Sequence, residues 1–158
     1  MPAARQSPAG FEFHPLTCQR WEDYAELFSP RGAPHDCRCM WWRMTTAEFE
    51  RNKGQANRKA LKELVDSGNV PGILAYSGAR AVGWCPVGPR TDFARLVRSP
   101  VLKPIDDQPV WSVVCLFVAR NFRRKGLSVE LLKAALRCWP GGENRGGLSA
   151  YSAQRENP

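Results

Sequence analysis

The chain has no apolar run approaching the roughly 20 residues of a membrane-spanning helix, which excludes that class of protein. Its first ten residues, Met1 to Gly10, lack the apolar core of a secretory signal and are expected to form a short disordered leader. No internal repeat is visible, so solenoids and propellers are excluded. Acidic residues are scarce beside basic ones, 15 against 23, and the net charge is +8. A basic balance of this size suits a phosphate-rich partner, either nucleic acid or a nucleotide cofactor. Hydrophobic residues make up 43% of the 158, too many for global disorder and enough for one substantial core. Residues 11–158 are therefore expected to form a single domain. Thirteen prolines and thirteen glycines point to many loops.

The six cysteines are Cys18, Cys37, Cys39, Cys85, Cys115 and Cys138. Without a signal peptide, a reducing cytoplasmic setting and unpaired thiols are expected. Cys85 and Cys115 lie in apolar runs and read as small core residues. An apolar strand would also raise the thiol pKa of Cys115 and make it inert as a nucleophile. His35-x-Cys37-x-Cys39 is a poor zinc spacing with no second Cys/His pair nearby, and Cys18 could join it only by folding. No metal is expected.

Hydrophobic periodicity gives the order of elements. Phe11 to Leu16 alternates as an opening strand. Thr17 can cap a helix running to about Phe28, with Trp21, Tyr24, Leu27 and Phe28 on one stripe. Thr45-Thr-Ala-Glu48 has the form of a capping box for a further helix. Asn57 to Ser67 reads as a helix with Leu61, Leu64 and Val65 inward, stopped by Gly68. Ile73–Tyr76 and Ala81–Cys85 flank the turn Ser77-Gly-Ala-Arg80 as an antiparallel hairpin. Pro89 to Pro109 is a long connection, a length that is usually functional or mobile. Val110 to Val118 is apolar on both faces and predicts one continuous central strand. Leu127 to about Trp139 predicts a helix with Leu127, Leu131, Leu132, Ala135 and Leu136 inward. Pro140-Gly-Gly142 ends it, and Gly147 to Ala153 reads as a last short strand.

The most informative stretch is Leu116 to Leu132. A buried strand leaves through a basic, glycine-containing loop and enters an amphipathic helix. Backbone N–H groups and the positive end of a helix then meet at one point, a ready site for phosphate. Arg123, Arg124 and Lys125 add cations, and Gly126 removes the Cβ that would hold an anion away. Between Arg120 and Arg137 there are six basic residues and one acid, Glu130. A nucleotide cofactor explains so local a patch. Nucleic acid is disfavoured, because the aromatics cluster elsewhere and do not interleave with it.

Arg123-Arg-Lys-Gly126-Leu-Ser128 resembles the (Gln/Arg)-x-x-Gly-x-(Gly/Ala) pyrophosphate loop of the GNAT superfamily of acyl-CoA-dependent N-acetyltransferases, with Ser128 in the last small position. The order of elements from residue 11 to 153 is also the GNAT order. Cys37-x-Cys39-Met-Trp-Trp-Arg43 resembles a segment of one bacterial GNAT group, as do Gly83-Trp-Cys85 and Asp106 to Ser112. The resemblance implies an α/β (α+β) fold, with a mixed, mostly antiparallel central sheet flanked by helices. It implies acetyl transfer from acetyl-CoA to a primary amine by direct attack. The backbone of Leu116, Phe117 and Val118 would pair with the pantetheine arm. An amide near Val118 would polarise the thioester carbonyl, and the loop residues Arg123, Arg124, Lys125, Gly126, Leu127 and Ser128 would hold the pyrophosphate.

No general base stands out. Asp106, Asp107 and Glu12 qualify by chemistry alone and are otherwise solvated carboxylates. Trp41, Trp42 and Trp84 are candidates for the acceptor pocket, and Trp41 and Trp42 read equally well as core aromatics. The family's usual late helix, with a tyrosine that protonates the departing thiolate, has no counterpart in the sequence, and Tyr151 falls in the proposed last strand. A shortened fold, weak turnover and a homodimer covering the missing edge are the resulting expectations. The alternative function is a non-catalytic acyl-CoA-binding or protein-interaction module that keeps the fold.

Overall fold

A computed structural model of the chain describes residues 10–29, 40–52, 54–138 and 149–150. The expected leader up to residue 9, Cys37, Cys39, the stop at Pro140 and Tyr151 lie outside the described residues. Strands β1 (Phe11–Pro15), β2 (Gly72–Ser77), β3 (Arg80–Pro89), β4 (Trp111–Val113), β5 (Phe117–Val118) and β6 (Ser149–Ala150) form one sheet. Helices are α1 (Trp21–Leu27), α2 (Thr46–Arg51), α3 (Gln55–Asp66), α4 (Ala94–Arg98) and α5 (Leu127–Cys138). Strand order is β1-β2-β3-β4-β6, with β5 also paired to β3. Every pairing is antiparallel except β4 with β6, so the sheet is mixed and mostly antiparallel, as expected.

Strand alternation sorts the apolar side chains of β2 and β3 onto two faces. One face carries Leu74, Tyr76 and Trp84 and is covered by Trp21, Tyr24, Leu27, Leu61 and Val65 of α1 and α3. Trp84 is fully buried, and the Tyr24 ring meets it edge-on at 5.0 Å. The opposite face carries Ile73, Ala75, Val82 and Cys85 and is covered by Leu127, Leu131, Ala134 and Ala135 of α5. Helix α5 lies close against the sheet because Gly83 has no side chain. A Cβ there would come within 2.9 Å of Leu131 Cδ1.

Local signals set several of the boundaries. The Thr45–Glu48 capping box forms in full: the Glu48 amide donates to Thr45 Oγ1 at 3.3 Å and the Thr45 amide to Glu48 Oε2 at 2.8 Å. Those Thr45 hydrogen bonds hold the Glu48 carboxyl below its usual range. Gly68 follows α3 with φ +89°, the left-handed conformation that ends a helix.

Other expectations are corrected. Thr17 does not cap α1 through its hydroxyl. The chain first winds a tight 3-10 turn over Cys18–Arg20, and α1 starts at Trp21. In α5 the inward positions are 127, 131, 134 and 135, so Ala134 is buried and Leu136, one step further round, is 40% exposed. The long connection is partly ordered by α4, which buries Phe93 and Leu96 against Val114. Buried Arg90 anchors it by donating to the carbonyls of Leu96 and Leu102.

The largest correction concerns the central strand, which is two pieces. Val87, Gly88 and Pro89 pair with Val113, Ser112 and Trp111, whereas Gly83 and Trp84 pair with Val118 and Phe117. Counting inward from both ladders sets Cys115 and Leu116 together opposite Cys85, which is a β-bulge. Its cause is Pro86. Val114 N donates to Pro86 O at 3.4 Å, but proline has no N–H to return the bond to Val114 O. Cys115 and Leu116 are therefore exposed, and Cys115 is not the core residue the apolar run suggests. Replacing Trp84 with alanine is expected to cost about 3–5 kcal/mol of unfolding free energy, measured by urea denaturation. A loss below about 1 kcal/mol would show that the Tyr24–Trp84 contact does not organise this face.

Candidate functional site

The site builds outward from the bulge. Past it, Ala119 N donates to Val82 O at 2.8 Å, so residue 119 is a hydrogen-bonded position. By the alternation of an antiparallel ladder, the N–H and C=O of Val118 point away from β3. Among the described residues, β6 meets the sheet only at Ser112 and Val113 of β4. Among the described residues no strand pairs with the outer edge of β5. The Val118 carbonyl on that edge accepts from Arg123 Nε at 3.0 Å, and this ties the following loop back to the strand.

After β5, a 3-10 turn over Arg120–Phe122 leads to the loop 123–126 and then to α5. Arg124 has φ +62°, in the left-handed region where a non-glycine residue is uncommon. Gly126 has φ +77°, and a Cβ added there would meet nothing within 4 Å. Alternating hand along the backbone turns successive N–H groups into a concave nest, and the first-turn amides of α5 lack helical acceptors. Arg123, Arg124, Lys125, Gly126 and Ser128 are all exposed around it. Leu127 differs: its side chain is buried in the core, so only its backbone can face a ligand. Lys125 Nζ stands 5.4 Å from the centre of the Phe122 ring. The nest, the helix N-terminus and the cations meet at one point with open space above Gly126, the chemistry that an anion requires.

On the α1 side of β5 lies a pocket of about 170 Å3, lined among others by Asp23, Glu26, Arg80, Phe117 and Arg120. Sequence reading missed it. Its signal was the spacing of Asp23 and Glu26, three apart on α1 and hence on one face. Tyr76 donates to Asp23 Oδ2 at 2.7 Å. Burial, and then the Asp23 carboxylate, push the Tyr76 phenol well above its usual pKa, so it stays a donor. Two carboxylates and two guanidinium groups give the pocket both signs of charge.

The remaining candidates scatter. Trp84 has no exposed surface to offer a substrate, because the core on its face closes over it. Trp41 is 38% exposed and lies between the Arg95 guanidinium, 3.5 Å from its ring centre, and Phe49. Trp42 packs on the Phe93–Leu96–Val114 cluster. Asp106 accepts from the Gln108 amide at 3.0 Å on the exposed loop before β4, with Asp107 beside it. Glu12 is on β1, with its carboxylate 3.3 Å from His14 Nε2. None of the three carboxylates lines the pocket. Among the described residues, no three His, Cys, Asp or Glu side chains converge as a metal site would require, and no helix is long and apolar enough to cross a membrane.

Strand, basic glycine-containing loop and helix follow one another here in the order of one enzyme family. The acetyltransferase (GNAT) family model matches residues 34–139, more than half of the chain. The chain belongs to the GNAT acetyltransferase family. Solved structures of similar fold include an aminoglycoside N-acetyltransferase, AAC(6')-Iy, in complex with CoA. It has 15% identity and a TM-score of 0.59, over 98% of this chain and 82% of that one. The aminoglycoside 6'-N-acetyltransferase AAC(6')-Ih from Acinetobacter baumannii has 15% identity and a TM-score of 0.57, over 93% and 82%. A ribosomal-protein-alanine N-acetyltransferase from Brucella melitensis biovar Abortus 2308 has 12% identity and a TM-score of 0.55, over 92% and 82%. No curated protein sequence matches the chain.

Burial pushes the Cys85 thiol up to about 12, with nearby Cys115 adding to the shift. Its folded pKa is raised, so its contribution to stability is complete below the unfolded value of about 9 and is lost as pH climbs toward 12. Thiol alkylation at pH 8 with mass-spectrometric mapping is expected to label Cys18 and Cys115 in the native protein, and Cys85 only after unfolding. Labelling of Cys85 as fast as Cys18 would contradict this burial.

Proposed function

We propose that the protein is an acetyl-CoA-dependent N-acetyltransferase acting on a primary amine. The observation that carries this reading is the continuity of two features. An open strand edge presenting the Val118 amide runs directly into the amide nest below Gly126. The first suits an extended amide-bearing arm, and the second suits a pyrophosphate. The empty space at the Gly126 Cβ position is what close approach of a phosphate requires. Arg124, Lys125 and Ser128 surround that space, and Arg123 holds the loop through Val118 O.

When bound, acetyl-CoA supplies an acetyl thioester at the bulge end of this edge. The chain's own contribution is positional and electrostatic. The outward Val118 N–H offers a donor where negative charge would grow on the thioester oxygen. The loop amides and cations would hold the phosphates, and Phe117 forms a wall shared with the pocket on the α1 side. Asp23 and Glu26 would draw in the ammonium form of an amine and keep it near the reacting carbon. Within the family, we infer that Met40–Arg43 marks the bacterial group with the Cys-x-Cys-Met-Trp-Trp-Arg segment.

One observation favours the second reading, an acyl-CoA-binding module without turnover. Neither β4 nor β5 carries an Asp or Glu that could deprotonate the amine. Calorimetry with acetyl-CoA followed by thiol release across a panel of amines separates the two. Binding with release supports the transferase. Binding without release for any amine supports the module, and no binding sinks both. Gly126→Val is expected to weaken acetyl-CoA binding by at least about tenfold, or 1.4 kcal/mol. The strain of a branched residue at positive φ should cost about 1–3 kcal/mol of stability. Unchanged affinity in a folded Gly126→Val protein would remove the loop from the site.

A further inference from the structure

The bulge places two thiols of opposite character side by side. Cys85 is fully buried on β3, and Cys115 is exposed at the gap between β4 and β5. The β3–β4 register, Val87 with Val113 and Gly88 with Ser112, and the β3–β5 register, Trp84 with Phe117, close on Cys85 from both sides and leave Cys115 and Leu116 facing it. The bonds Arg90 N to Val110 O, 2.9 Å, and Val114 N to Pro86 O mark alternate positions of this ladder as hydrogen-bonded. Cys115 is thus the first of the two bulge residues facing Cys85, next along the chain from the Val114–Pro86 bond. A disulfide spans Cα separations of about 4.4–6.8 Å. The mutual electrostatic influence of the two thiols agrees with this closeness.

We propose that Cys85 and Cys115 are a redox pair whose cross-strand disulfide draws the bulge shut and switches off acyl-CoA binding. The regulatory half rests on the functional reading above, in which the open edge beginning at Leu116 receives the cofactor arm. Joining Cys115 to Cys85 pulls the first residue of the bulge down onto β3. Leu116 and the edge beyond it must follow. The oxidant is a small-molecule disulfide such as oxidised glutathione. The exposed Cys115 thiolate attacks it, forms a mixed disulfide and releases one thiolate. The Cys85 thiol then loses its proton and attacks the Cys115 sulfur, and the second thiolate departs. Two protein thiols and one small disulfide become one protein disulfide and two small thiols. The burial of Cys85 makes the second step the slower one.

The test uses the full chain equilibrated at graded ratios of oxidised to reduced glutathione, with two readouts. Peptide mapping is expected to find Cys85 linked to Cys115, and dithiothreitol to reverse the link. Calorimetry is expected to show at least about tenfold weaker acetyl-CoA binding by the oxidised protein. Cys115→Ser should bind acetyl-CoA equally well under both conditions, and Cys85→Ala should stop at the glutathione adduct on Cys115. Absence of the link under full oxidation, or a link to another cysteine in its place, overturns the pairing. A Cys85–Cys115 link with unchanged affinity overturns the switch. If the reduced protein fails to bind acetyl-CoA, the regulatory claim falls with the functional reading, while the mapping still decides the pairing.

Discussion

One missing hydrogen bond organises this molecule. Pro86 accepts from Val114 but cannot donate back to it, and the β3–β4 ladder fails at that point. The strand resumes one residue out of step, as the change from the Val87–Val113 register to the Trp84–Phe117 register records. The extra residue turns Cys115 and Leu116 outward and leaves β5 displaced from the line of β4. An unbroken strand would place its next neighbour along its whole length. The bulge is what leaves a backbone edge available, with the Val118 amide facing outward.

Packing then holds the two sides of that edge in place. On one side, the Trp84–Tyr24 contact fixes α1 across the sheet, and this puts Asp23 and Glu26 beside Phe117. On the other, the bare Gly83 lets Leu131 sit close to the strand, so the start of α5 arrives directly after β5. The loop between them has only a few residues to reverse direction. It does so with positive φ at Arg124 and Gly126, and that reversal is what turns the amides toward a common centre. The convergence of these amides is thus a consequence of how short the strand-to-helix connection is.

The local vocabulary of the chain was largely legible. The capping box at Thr45, the glycine stop at Gly68, the two-residue hairpin turn and the α1 stripe all depend on neighbours within a few residues, and each appears where the pattern puts it. So did the strand–loop–helix unit at residues 116–132. Reading failed where the deciding partner was distant. Val110 to Val118 is apolar but for Ser112, and nothing within it announces the break, because the break lies opposite Pro86 on another strand. Cys115 looked like core for the same reason. Trp84 could have been a pocket wall or a core ring until Tyr24 was seen against it. The Asp23–Glu26 face drew no attention because its meaning depends on Phe117 and Arg120, nearly a hundred residues away.

By itself, then, the sequence determined most of the elements, their order, the two-faced patterning of the hairpin and the chemistry of the Arg123–Ser128 loop. These follow from side-chain periodicity and backbone preference, which act over one or two turns of chain. Tertiary structure alone decided the register shift, the exposure of Cys115, the outward Val118 amide and the pocket of mixed charge. Each of those arises from pairing between segments far apart in the chain. Whether a strand can donate a hydrogen bond, or a ring finds a partner, is a property of two places at once.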